Sequence, residues 1–475
     1  MPQEPAPGHI LFAQFGSEAT QNAVMIMTQS GKLLWQSDPA ATQLVSNLTP
    51  ARLFGKDVLV YWEASSAVAT NLPVSSHGCI RILDDSYQSI YNVTLADPTL
   101  STNGQFDSLI DPHEAFVTPS GTLLVLAYDV QPWDLSAVGG PRNGWIHDGV
   151  VYEIDIATND ILFRWRASDY IPITNSHAPL PLARDEVGGL SSPPWDYLHL
   201  NSATVFEDGI VVSWRHTFDA IYIDRSTGDV RWTLQGDDGG DFAMTPAAAF
   251  QWQHDVHIHR SAEGQMLLSM FNNRNNGTLP LNETYGMLLE LTDGEADGHA
   301  VASTRIYRDV NEAISSVAGG SMQVLDNGNV FVAYGTQPVI KEYYEDGTVA
   351  QTFRFGPRGS HVFPGAGAYR ARKHEWKGYP ATRPKVTGCL RNDGTADVWM
   401  SWNGATEMHS WNLYGGGPGG DLELAVVEAP RDGFETKVTV AAGRFIQAEA
   451  LGGCRGANET RRSSIVAIVD DCASW

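Results

Sequence analysis

The sequence predicts an all-β fold, a six-bladed β-propeller with four-stranded blades around a central channel. Three observations predict it. Short runs rich in Val, Ile and Tyr, separated by Gly, Asp, Asn and Ser, recur along all 475 residues, as strands joined by hairpins do. Residues 195–236 place four such runs (HLNSATVF, GIVVSWRH, AIYIDR and DVRWTL) in about 40 residues, the size of one propeller blade. The composition, with 46 Gly, 25 Pro and 18% charged residues, suits a turn-rich β protein rather than long helices or a disordered chain.

The chain supports this in order. The opening gives HILFAQF, AVMIMT and SGKLLWQ, and a second set, DVLVYWEAS, CIRILD and SIYNVTL, covers 57–95. From Asp111 the first strand of each unit reads DPHEAFVTPSG, YLHLNSATVFEDG, WQHDVHIHRSAEG and then GGSMQVLDNG. The second strand reads TLLVLAYD, IVVSWRHT, QMLLSMFNN and NVFVAYGT. A further unit is expected from Lys385, and the tail runs FIQAEAL and SSIVAIVD are expected to close the ring on the N-terminal segment. Two stretches rich in Pro, Gly and Ser, 131–148 and 168–194, read as rim insertions walling a binding site. No boundary divides the chain, so a single domain over 1–475 is expected.

A net charge of −24 repels phosphate backbones and anionic lipid, so neither nucleic acid nor a membrane surface is an expected partner. No apolar run reaches membrane-spanning length. The first residues lack a basic and then apolar leader, so no signal peptide is predicted there. Asn-x-Thr triplets begin at Asn47, Asn92, Asn276, Asn282 and Asn458, which points to a glycosylated, secreted protein. The four cysteines, Cys79, Cys389, Cys454 and Cys472, form no CxxC pair, so disulfides are expected rather than zinc. Cys454–Cys472 is the expected bridge, pinning the last strands.

Aligning the units puts His113, His199 and His254 at equivalent places, at the start of three successive first strands. Such strands line a propeller channel, so the three imidazoles are expected within reach of one ligand. Asn201 follows His199 by two residues and shares its face. Arg215, permanently cationic and able to fork onto an oxyanion, ends the second strand of the same unit. His216, Trp214, Trp252 and Asn272 are the expected substrate contacts. Glu114 and Asp255 are expected to turn away from the channel. There is neither a GxSxG elbow nor a phosphate loop.

These motifs (DPHE, HLNS through WRHT, IYIDRSTGDVRW, WQHD and SWNGATE) resemble the arylsulfotransferase family, in its fungal-type branch, over about Asp111 to Trp411. The resemblance implies sulfuryl transfer from an aryl sulfate to a phenol, without a nucleotide donor, metal or cofactor. It implies that His254 carries the sulfuryl group, that His199, Asn201 and Arg215 hold its oxygens, and that His113 is a further channel histidine. The Asn-rich segment Phe271–Asn276 departs from the family pattern. The residues leave other readings open: a non-metal lyase, isomerase or cyclase of secondary metabolism working on a small aromatic or polycyclic substrate, a metal enzyme on the three histidines, or an interaction propeller.

Overall fold

The computed structural model describes residues 4–19, 21, 23–38, 44–64, 77–101, 106–181, 193–261, 264–292, 298–357, 365–417, 421–456 and 460–470. The chain is all-β, built from antiparallel sheets, most of them four-stranded. The first sheet holds His9–Phe15, Val24–Met27 and Leu33–Gln36, with Gly367–His374 paired to its leading edge. The second runs from Val45–Leu53 through Lys56–Ala64 and Gly78–Leu83 to Ser89–Val93, and the third from Ala115–Val117 through Thr122–Trp133 and Gly144–Asp155 to Ile161–Arg166. The fourth is Leu200–Phe206, Gly209–Trp214, Asp219–Asp224 and Val230–Gln235. The fifth is His254–Arg260, Met266–Asn272, Tyr285–Thr292 and His299–Tyr307, extended in parallel by Phe242–Ala243. The sixth is Ser321–Val324, Val330–Ala333, Val339–Tyr343 and Val349–Arg354.

The hydrophobic core lies between these sheets rather than within any one of them. One apolar cluster joins the first sheet to the second, another the second to the third, and so on to the sixth. A further cluster, with Phe331 and Ile340 against Phe12 and Ala371, joins the sixth back to the first. This explains why Gly209–Trp214 is buried at every position: a strand covered on both faces needs an unbroken apolar run, not alternation. The packing is propeller-like, and it gathers the leading strands on the inside, where the candidate residues lie.

Two expectations about the ends are corrected. Lys385–Leu390 does not begin a unit of this cycle. It pairs with Thr395–Ser401 and, through it, with Glu435–Ala441, while Met408–Gly416 and Phe445–Gly452 build a neighbouring sheet. These strands share an apolar cluster formed only of residues from Val386 onward. FIQAEAL therefore pairs with Met408–Gly416 and not with the N-terminal segment, whose free edge is taken by Gly367–His374. A hairpin partner close in sequence costs less loop-closure entropy than one several hundred residues away. Cys454, like Cys79, carries a free thiol, so the Cys454–Cys472 bridge is also corrected; Cys389 is disulfide-bonded.

The 131–148 stretch is less a loop than an extended hairpin, since its two ends continue Thr122–Trp133 and Gly144–Asp155. The 168–194 stretch does reach the candidate site: His177 donates its backbone N–H to the carbonyl of His216 at 2.7 Å. Its residues 182–192 lie outside the described ones.

Candidate active site

The three histidines come together where their leading strands begin. The rings of His113 and His199 are 5.1 Å apart and nearly perpendicular, and His199 lies 5.0 Å from His216. Tyr369 bridges the group, 5.3 Å from His113 and 6.1 Å from His254. The backbone is unusual here. His199, Trp252 and Asp255 all have left-handed φ, at 52°, 58° and 59°. Their strands slip register, between Leu200 and Ser202 and between His254 and His257. Bulges and left-handed residues re-aim side chains at a cost in stability, and they cluster where function requires that aim.

Each imidazole has its own orienting partner. His254 is buried; its Nδ1 faces Asn273 Oδ1 at 2.7 Å. Asn273 Nδ2 donates to the carbonyls of Gly319 (3.0 Å) and Ser316 (3.4 Å), so its oxygen must accept and His254 Nδ1 must carry the hydrogen. The lone pair is thereby fixed on Nε2, which accepts the Gly319 N–H at 3.2 Å. Burial, assisted by the nearby Arg215 charge, holds His254 well below the usual histidine range, so the ring is neutral. His199 donates Nδ1–H to Asp196 Oδ2 at 2.7 Å, and His113 Nδ1 pairs with Asp111 Oδ1. Burial depresses His199 despite its carboxylate. The result is two Asp–His dyads side by side.

Arg215 is near enough to His254 to act on it electrostatically, and among the described residues it makes no ion pair, the Asp196 carboxylate acting on it only from a distance. It donates to His216 Nε2 at 2.9 Å and to the carbonyls of Val317 (2.8 Å) and Asn275 (3.4 Å), and it sits 5.1 Å over the face of Trp252. Its Nε is screened from solvent with no partner. Burial lowers its pKa to about 10, which leaves it a cation at neutral pH. Arg370, one step below, shows the contrast. It is ion-paired with Glu114 at 2.9 Å and Asp255 at 3.1 Å, and Arg372 secures the same Asp255 at 2.8 Å. The expectation that Glu114 and Asp255 turn away from the channel is corrected: both meet Arg370 of the first sheet, and because the first, third and fifth sheets are not neighbours in the cycle, these side chains meet at its centre. They tie the third, fifth and first sheets together there.

The remaining candidates divide. Asn201 is in the cluster: its amide donates to the Gln253 carbonyl at 2.7 Å, and its own Oδ1 is buried without a partner, facing the role of acceptor rather than oxyanion donor. His216 braces Arg215. Its Nδ1 is held by the Asp196 carbonyl at 2.6 Å, and burial pushes it down to about 3. Trp252 supplies the face under Arg215. Trp214 is fully buried in the apolar cluster between the third and fourth sheets, 6.0 Å from Trp165, on the opposite side of its strand from Arg215. Asn272 is likewise occupied, accepting from Gln251 N–H at 3.1 Å and donating to the Ala249 carbonyl at 3.3 Å. Sequence reasoning missed Asn273, one residue on, together with Tyr369, Asp111 and Asp196. Asp111 and Asp196 were detectable, standing two and three residues before their histidines.

Among the described residues, one group offers metal-ligating atoms within 4.8 Å of one another: Asp196, His199 and His216. Those atoms already satisfy one another and Arg215, whose guanidinium is 2.9 Å from His216 Nε2, so a metal ion would have to displace a cation.

The neutral imidazoles set a pH dependence. Burial depresses His147, His199 and His254, and takes His216 to about 3 and His259 to about 4. In the unfolded chain histidines titrate near ~6.5. Below that value the unfolded chain binds protons that the folded chain refuses, so stability falls as pH drops from about 6.5 towards 4. The urea midpoint should decline steadily across this window; a constant midpoint contradicts the neutral assignment.

The sequence profile of the arylsulfotransferase (ASST) family matches residues 49–356, well over half of the chain. The chain belongs to the arylsulfotransferase family. The match takes in every expected catalytic residue of this arylsulfotransferase-family chain but stops short of Tyr369, Arg370 and Arg372. No curated protein matches the sequence. Among solved structures, a protein of unknown function from Bacteroides caccae aligns with 77% of this chain and 98% of its own, at 12% identity and a TM-score of 0.40. The GH93 α-L-arabinofuranosidase of Fusarium graminearum aligns with 82% of this chain and 93% of its own, at 10% identity and 0.38. Hydrazine synthase of Kuenenia stuttgartiensis aligns with 84% and 94%, at 11% identity and 0.37. Similarity this low carries no functional argument.

Proposed function

We propose that this protein transfers a sulfuryl group from an aryl sulfate to a phenolic acceptor in the channel of a six-bladed propeller, with His254 as the transient carrier. One observation carries the reading: a neutral imidazole with its lone pair fixed on Nε2 lies within the electrostatic reach of a buried guanidinium that makes no ion pair among the described residues. A neutral imidazole is a competent nucleophile, and an unpaired buried cation is a ready partner for a sulfuryl group's oxygens.

The chemistry follows from the geometry. In the first half-reaction the Nε2–S bond forms as the aryl O–S bond breaks. The positive charge this places on the ring is held by the Nδ1–H bond to Asn273. The departing phenolate takes a proton from the protonated form of His113, which is left neutral; His199, whose one N–H is given to Asp196, has none to give. In the second half-reaction the acceptor oxygen bonds to sulfur, the N–S bond breaks, and the acceptor's proton returns to a dyad. Arg215 serves the sulfuryl oxygens, because a loose transfer transition state places its charge there, and the Gly319 N–H, which donates to Nε2 in the free protein, must leave that nitrogen as the N–S bond forms. Tyr369 and Trp252 offer aromatic faces to the substrate rings. The test is the mass of the protein after incubation with 4-nitrophenyl sulfate alone: an adduct of ~80 Da on the His254 peptide is expected for a covalent carrier.

We also propose a secretory route. Asn92, Asn276 and Asn282 are exposed and Asn458 lies outside the described residues, whereas Asn47 is buried with its amide on the His113 carbonyl at 3.2 Å and is not available for modification. Loss of mass at Asn92, Asn276 or Asn282 on N-glycosidase treatment of protein secreted by a eukaryotic host tests this, and no change at all three refutes it.

A further inference from the structure

A cleft of about 760 Å³ opens where the C-terminal strands meet the first two sheets, and it shares no residue with the candidate active site. The second sheet supplies Tyr61, Glu63 and Arg81. Tyr61 and Glu63 stand two residues apart on Lys56–Ala64 and share a face, and Arg81 is the register partner of Tyr61 on the next strand. The C-terminal side supplies Arg383 and Lys385, both exposed. Trp35 and Tyr87, stacked on each other at 4.7 Å, and Phe434 give the lining its apolar part. The two sides are pinned together. Asn403 accepts the Gln36 N–H at 3.0 Å and donates to the Gln36 carbonyl at 2.9 Å, and the Tyr87 hydroxyl donates to the Gly404 carbonyl at 2.9 Å. A concave site with fixed walls between two sets of sheets is a common place for a small ligand.

The charged groups facing this cleft serve one another poorly. Glu63 Oε2 is 3.4 Å from Arg81 Nε and 3.4 Å from the Tyr61 hydroxyl, both near the long limit of a useful contact. Arg383 and Lys385 make no ion pair among the described residues, in a chain where 55 acidic residues outnumber 31 basic ones. Close by in the same region, Arg391 and Lys437 both sit on Asp397, at 3.3 and 2.8 Å. We propose that the cleft binds an acidic saccharide, whose hydroxyls engage Tyr61, Glu63 and Arg81 and whose carboxylate or sulfate group meets Arg383 and Lys385. The mixed lining selects this class. A bare polyanion would meet Asp38 and Glu63 as like charges, and a purely apolar body would leave the carboxylate and the guanidinium unserved. A sugar ring carries donors and acceptors side by side, which suits a carboxylate next to a guanidinium, and its C–H face suits the aromatic part of the lining.

Calorimetric titration of the whole protein at low ionic strength tests this. Trigalacturonate carries the acid group as a carboxylate, and a sulfated carrageenan tetrasaccharide carries it as a sulfate ester. At least one of them is expected to bind. The double variant Arg383→Gln/Lys385→Gln, changed only at exposed positions, is expected to keep the parental melting curve and to bind that probe roughly 3- to 30-fold less tightly, the scale of two part-exposed ion pairs. Maltotriose, which has no acid group, is expected to fall behind by a similar factor. Glu63→Ala separates a saccharide from a simple anion: the hydroxyls lose their acceptor and binding weakens, whereas a simple anion binds more tightly once a like charge has gone. The double variant decides the matter if Glu63→Ala does not fold. Binding of neither probe, sodium sulfate binding as tightly as the saccharide, unchanged affinity in the double variant, or tighter binding in Glu63→Ala overturns the proposal. The readout needs no turnover and no channel residue, so failure of the sulfuryl adduct to appear on His254 leaves this result standing, and the reverse also holds.

Discussion

His254→Asn is expected to remove transfer altogether while leaving the protein folded. The substitution takes away the Nε2 lone pair that accepts from the Gly319 N–H, yet it keeps a buried polar side chain beside Asn273 and Gly319. With 4-nitrophenyl sulfate alone, the parent should show one adduct and a burst of nitrophenol equal to the enzyme present, and the variant neither. With donor and acceptor together, ping-pong kinetics are expected of the parent, because the phenol leaves before the acceptor reacts. A variant that still turns over at near the parental rate would remove the carrier role. The dyads, Arg215 and Tyr369 would then be read as an acid–base pocket for a lyase or cyclase. The imidazole is neutral well below its usual range, so the donor half-reaction should not lose its nucleophile between pH 7 and 5.

Arg215→Met is expected to slow both half-reactions by roughly 100- to 1,000-fold, the cost of losing one strong oxyanion donor, with little loss of stability. Arg370→Met should do the opposite to the fold. Arg215 has no carboxylate to abandon, and its removal relieves a desolvated cation. Arg370 leaves Glu114 and Asp255 buried beside a missing partner, a change that costs about 3–5 kcal/mol when a buried pair is broken. Comparing the two melting curves separates a guanidinium held for a substrate from one held for the structure. If Arg215→Met melts as early as Arg370→Met, Arg215 is a structural residue and the anion-binding assignment fails.

Much of this was legible in the residues. The all-β class followed from run length and turn chemistry, which are local properties. The shared site of His113, His199 and His254 followed from their equivalent places in a repeat, since repeats stack equivalent positions around a common centre. The choice between Asn272 and Asn273 as the partner of His254 was not legible. Three asparagines stand within four residues, and only the carbonyls of Ser316 and Gly319, more than 40 residues away, select the one whose oxygen must face the imidazole. Trp214 illustrates the same limit: alternation sets it opposite Arg215, but only the packing shows that its side is the apolar cluster with Trp165.

What the sequence by itself determined is the class of fold, the repeat and the chemistry-bearing residue types, because each is set by periodicity and local turn preference. What only the tertiary structure decided is which edge Gly367–His374 fills, where the strands from Lys385 onward go, and which arginine is left without a carboxylate. Arg215 and Arg370 are the same residue type at the ends of similar apolar runs. Their difference is the presence of Glu114 and Asp255 beneath one of them and not the other, and those partners come from sheets more than 100 residues away along the chain.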